Sequence, residues 1–238
     1  MKKRYVVIVA CLQTAWSSFA WAEESKSASF QEAYSNWTAY LANMPVEVMV
    51  KSSLPSDIYY DNEPFRRILD LGASAVPDII QALENDRRLV EALQEITKWK
   101  YNIVRTGETP KTYTWTVAEI PAIRGTDGPP DRVAVWKYWW QKERFKTDEH
   151  FNELYEAWNV ATKAGEYEKA DLLRQKITNL GIPVLPYLID AAKTQPEWLL
   201  AIRQLTSGAL PEDISGAECE TWWEENRIKY DLPDKGAM

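Results

Sequence analysis

The sequence predicts an all-α protein, a compact helical repeat of two duplicated units with a small β-hairpin inserted in the first. Three observations carry this. The stretch Ile68-Leu69-Asp70-Leu71-Gly72-Ala73-Ser74-Ala75-Val76-Pro77-Asp78-Ile79-Ile80 returns without a gap as Ile177-Thr178-Asn179-Leu180-Gly181-Ile182-Pro183-Val184-Leu185-Pro186-Tyr187-Leu188-Ile189, an offset of 109. Upstream, Phe30, Glu32, Tyr34 and Trp37 match Phe151, Glu153, Tyr155 and Trp158; downstream, Trp139, Trp140 and Arg144 match Trp222, Trp223 and Arg227. Within each block, apolar residues recur at the spacing of a helix face rather than a strand.

In chain order, residues 1–22 read as a secretory leader. Met1-Lys2-Lys3-Arg4 is basic, Tyr5 to Leu12 is apolar, and Ala20-Trp21-Ala22 is a cleavage signature ahead of Glu23-Glu24. A lipidated Cys11 is the lesser reading, because the apolar run before that thiol is short. Gln13, Thr14, Ser17 and Ser18 interrupt the segment too early for a membrane span, and no other segment is long and apolar enough. The expected location is the periplasm or the cell exterior.

The first unit is assigned to 28–146 and the second to 147–231. Val76, Ile79, Ile80 and Leu83 form one apolar stripe, mirrored by Leu185, Leu188, Ile189 and Ala192; Leu89, Leu93 and Ile96 form the next, mirrored by Trp198, Ile202 and Leu205. Gly72 and Gly181 stand where a helix ends in the left-handed conformation. Pro77, Pro183 and Pro186 fall in or near the first turn of the following helix, where a missing N–H costs least. Thr147 or Asp148 is the expected cap of the helix that opens the second unit. Trp-rich helices at 131–145 and 217–230 are expected to cap the units and complete the core.

The insertion at about 100–130 breaks the helical plan. Thr112-Tyr113-Thr114-Trp115-Thr116-Val117 alternates as a strand does, and Gly125 to Pro130 is a turn cluster. A segment that one repeat has and its twin lacks is often the binding face. The candidate binding residues are therefore Tyr113 and Trp115, two apart on one strand face, with Lys111, Arg105 and Arg124 nearby. The rival reading makes the hairpin a cover over the edge of the helices.

The pattern Leu71-Gly72 through Val76-Pro77 to Ile79-Ile80, with a second apolar helix about ten residues on, resembles the HEAT-repeat family, over about 63–98 and 172–207. That resemblance implies a stacked-helix scaffold whose curved face binds other proteins. Only two units are present, so the resemblance points to a compact HEAT-like domain rather than a long solenoid.

Composition narrows the chemistry. There are 35 acidic and 28 basic residues, so long-range steering favours a basic protein partner over nucleic acid. Removal of the leader takes away three basic residues and no acidic one, moving the net charge from −7 to −10. One His and two Cys exclude the usual four-ligand zinc sites of Cys and His and a disulfide framework. His150 is expected as an exposed first-turn residue, and Cys219 as a buried thiol. Asp57, Asp61 and Glu63 lack the spacing of a calcium loop. Gly107 to Thr112 lacks the second glycine of a phosphate loop. No metal or cofactor is expected.

The functional expectation is a non-catalytic protein-binding module, with an inhibitor or immunity-type protein of a cell-wall-acting enzyme as its concrete form. The alternatives are glycan or peptidoglycan binding through exposed Trp, and a carboxylate-based hydrolase.

Overall fold

Short apolar stripes bounded by Gly, Pro and capping residues give short helices, and the chain is mostly helical. The structure is a computed structural model that describes residues 29–44, 59–106, 114–118, 120–125 and 128–233. The leader and Cys11 lie outside the described residues.

Helix α1 covers residues 29–42 and buries Phe30, Ala33 and Trp37 along one face. Helix α2 (Glu63–Asp70) begins where Asn62 Oδ1 accepts the Phe65 N–H at 2.9 Å, with Pro64 in its first turn. A 3₁₀ turn (Gly72–Ala75) leads into α3 (Val76–Ala82), and a second one (Arg87–Leu89) into α4 (Val90–Thr97). The inserted strands follow, then the Trp-rich α5 (Arg132–Gln141), capped by Asp131.

Helices α6 (Thr147–Lys163), α7 (Tyr167–Thr178), α8 (Leu185–Ala192), α9 (Leu199–Leu205) and α10 (Gly216–Asn226) follow in the same sequence. The 3₁₀ turns Ile182–Val184 and Pro196–Trp198 again precede the third and fourth helices. Local details recur at the same offset. Gly72 and Gly181 have φ of 62° and 81°, and Lys98 and Ser207, just after α4 and α9, have φ of 53° and 54°. The hydroxyls of Thr97 and Thr206 donate to the carbonyls of Leu93 and Ile202 four residues earlier, at 2.7 and 2.9 Å. At a different offset, 121, Phe30 stacks on Tyr34 and Phe151 on Tyr155.

Two hydrophobic clusters result. The first is built on α1 to α5 around Trp37, Trp99, Trp136, Trp139 and Trp140; the second on α6 to α10 around Trp158, Trp198 and Cys219. Leu232 packs against both. The Gly72 and Gly181 turns and the first-turn prolines are where the sequence predicts them, and Leu93 and Ile202 are fully buried.

Two expectations are corrected. Neither Thr147 nor Asp148 caps α6: Thr147 is the first helical residue, its Oγ1 donates to the Arg144 carbonyl at 2.8 Å, and no side chain caps the helix. The 3₁₀ turn Glu143–Lys146 runs straight into the helix, so the chain enters it already coiled. The insertion is a three-stranded antiparallel sheet, not a two-stranded hairpin: β1 (Ile103–Thr106), β2 (Thr114–Val117) and β3 (Ile120–Gly125) pair in that order. Pro121 argues against a central strand, and β3 lies at an edge, where proline is tolerated.

Candidate functional site

Two regions stand out above the helical scaffold: the inserted sheet and a polar groove where the two halves meet.

Val117 and Ile120 are buried and join the cluster of Trp99, Trp136 and Trp139, with Tyr101, Ile103 and Ile123 packed against it. The sheet therefore covers the aromatic core. Its register sets Arg105 opposite Trp115 and Trp115 opposite Gly125; Thr116 lies opposite Arg124, one row along. Of the five residues singled out from the sequence, the structure brings Arg105, Trp115 and Arg124 onto neighbouring rows, and both arginines are exposed. Val104, next to Arg105 on β1 and in the row of Thr116 and Arg124, is 38% exposed. Lys111 and Tyr113 lie outside the described residues.

The groove was not visible in the sequence. Lys98 and Lys100 follow α4, Arg174, Gln175 and Asn179 end α7, and Gln204 stands at the end of α9; together they line a recess of about 500 Å³. The halves touch here through the backbone. The Lys100 N–H donates to the Asn179 carbonyl at 3.0 Å. Lys98 pairs with Glu95 at 2.6 Å and Arg174 with Asp171 at 2.5 Å, both carboxylates standing outside the lining. No single stretch of sequence carries this signal, because its residues are contributed by three segments. A smaller recess of about 210 Å³, bounded by Arg144, Phe145, Trp223 and Tyr230, is crossed by the C-terminal segment, whose Pro233 carbonyl accepts from Arg144 Nη1 at 2.5 Å.

The side chains that suggest chemistry are packed into the core or ion-paired, and Trp136 Nε1 is buried without a hydrogen-bond partner. Trp136, Trp139, Trp140 and Trp223 are buried and Trp222 is half-buried, so the two aromatic faces are core rather than an open platform for sugars. Asp86 and Glu143 are the buried carboxylates among the described residues, and each is held by a cation. Arg88 grips Asp86 with two hydrogen bonds, at 2.8 and 2.6 Å, and Tyr34 donates to it at 3.2 Å. Burial pushes the Asp86 carboxyl up, but the side-chain and backbone hydrogen bonds from Arg88 outweigh it and hold the group below its ordinary range. Glu143 pairs with Lys146 at 3.0 Å, and His150 Nε2 stands 3.9 Å from it. Cys219 is fully buried, and burial pushes its thiol up to about 11, the opposite of the lowered value a nucleophilic thiol needs. Among the described residues, no group of three or more His, Cys, Asp or Glu is placed to hold a metal ion.

The fold thus defines a mostly helical protein with a covering sheet and a cationic groove between its halves. Among the described residues, no helix is long and apolar enough to cross a membrane. Comparison with protein-family models, with curated proteins and with solved structures returns no match.

Proposed function

We propose that the chain is a non-catalytic protein-binding module built of two duplicated HEAT-like units and exported to the periplasm or cell exterior by cleavage after Ala22. The recurrence of the Gly72 and Gly181 turns, the left-handed residues after α4 and α9, and the paired 3₁₀ turns supports the duplication. The observation that carries the binding role is the inserted sheet. One unit alone has it, and while Val117 and Ile120 close the core, Val104, Arg105 and Arg124 stand exposed on it. Arginine is enriched among the residues that anchor interfaces. In its concrete form, the module neutralises a basic, cell-wall-acting enzyme, which the acidic surface steers in.

The test is capture from the envelope extract of the source cell with the mature chain and with its Arg105→Ala/Arg124→Ala variant, which removes the anchors without adding negative charge. The expected result is one stoichiometric protein partner retained by the first and lost by the second, with the thermal melt unchanged. A partner held equally by both moves recognition off the sheet. If no protein is retained and a carbohydrate is, the module reading falls.

A further inference from the structure

We propose that the groove between the two halves binds a short acidic peptide segment of a protein partner. The inference rests on the reading of the chain as a protein-binding module, but its site is separate from the sheet. Lys98, Lys100 and Arg174 bring three cations to one recess, and none of its lining residues among those described is acidic, in a chain where acidic residues outnumber basic ones 35 to 28. About 500 Å³ is the size of a site for a ligand of a few residues.

Of the three cations, Lys100 is the one without an ion pair among the described residues. The C-terminal ends of α4, α7 and α9 meet here, and helix C-termini carry partial negative charge. Chain turns satisfy several of their carbonyls: Gln94 accepts from Lys98 N–H, Gln175 from Asn179 N–H and Ile202 from Thr206 N–H. Glu95 pairs with Lys98 and Asp171 with Arg174, so those two cations are already partly neutralised and Lys100 carries most of the groove's unpaired charge. Lys100 has no side-chain partner among the described residues, while its own N–H is tied to Asn179. The ammonium is therefore anchored at its base and available at its tip.

The remaining lining selects the ligand. Asn179 and Gln204 carry amides that both donate and accept, while Gln175 Nε2 already donates to Asp171 at 3.0 Å; the two amides suit a peptide backbone beside a carboxylate held by the Lys100 ammonium. Among the described residues no aromatic ring lines the groove, so a nucleic-acid base has no stacking platform there. A long polyanion would have to run over a surface whose net charge is −7, and a short acidic segment does not.

The test is fluorescence anisotropy of a labelled hexaglutamate peptide titrated with the full chain at low salt, with hexaglutamine and polyphosphate as comparison probes. The expected result is saturable hexaglutamate binding, absent for hexaglutamine, weakened roughly tenfold or more by Lys100→Glu or Arg174→Glu and unchanged by Lys163→Glu on the exposed end of α6. Where Lys100→Glu fails to fold, Lys100→Gln removes the charge without adding repulsion and carries the same expectation. Binding untouched by the groove substitutions overturns the proposal, as does no saturable binding, or polyphosphate binding without hexaglutamate. The probe needs no natural partner. A partner captured through the sheet with no peptide bound refutes the groove alone, and peptide bound with no partner captured refutes the sheet alone.

Discussion

Gly181 lies against the end of α4 so closely that a Cβ on it would stand 2.5 Å from the Thr97 carbonyl oxygen and 2.7 Å from the Trp99 nitrogen. Its φ of 81° independently excludes most side chains. Two backbones from different halves meet at this point, and the groove is built on that junction.

Gly181→Ala is therefore expected to cost more than Gly72→Ala. Both carry left-handed strain, about 1–2 kcal/mol each, but a Cβ at Gly72 meets only the Lys229 carbonyl at an ordinary 3.4 Å. Urea denaturation of the two variants checks the order. Equal destabilisation would contradict the close approach.

Leu93→Ala and Ile202→Ala each leave a cavity in a fully buried position and should each cost about 2–5 kcal/mol. Chemical denaturation measures both. Changes below about 0.5 kcal/mol, the range of surface sites, would contradict their equivalent placement.

The Asp86 carboxyl is held below its ordinary value of 3.8 by Arg88 and Tyr34 despite burial. A depressed carboxyl contributes stability that is present above its unfolded value and lost as pH falls through the folded one. Asp86→Asn should lower stability at neutral pH and narrow its lead over acid conditions, so the wild-type and variant curves converge below about pH 4. Parallel curves through that range would sink the assignment.

Cys219, with its thiol pushed up to about 11 by burial, should resist thiol-specific reagents at pH 8 in the folded chain and react in denaturant. Mass-spectrometric mapping of the label to Cys219 reads this directly. Rapid labelling of the native protein would place the thiol at the surface.

Much of the scaffold is legible in the sequence because its signals are local. The stripe Val76, Ile79, Ile80 and Leu83 is buried as its spacing demands, and Gly72 and Gly181 turn where glycine is cheapest. The Trp faces of α5 and α10 are also readable as core, since large rings at helical spacing supply buried area. Strand β1 has only four residues and β3 carries Pro121, so neither announces itself. Of the binding residues, Arg105, Trp115 and Arg124 are 19 positions apart at most in sequence, and antiparallel pairing alone sets Trp115 opposite Arg105 and Arg124 one row along.

By itself the sequence determined the helices, their turns, the recurring blocks and the buried stripes, because periodicity, proline and left-handed glycine act within a few residues. Only the tertiary structure decided that Lys98, Lys100, Arg174 and Gln204 share one recess. Their meeting depends on the Gly181 turn closing against Thr97 and on the Lys100–Asn179 hydrogen bond. Both are contacts between segments about 80 residues apart, and contacts at that separation form only when whole helices have packed and repaid the entropy of closing the loop between them.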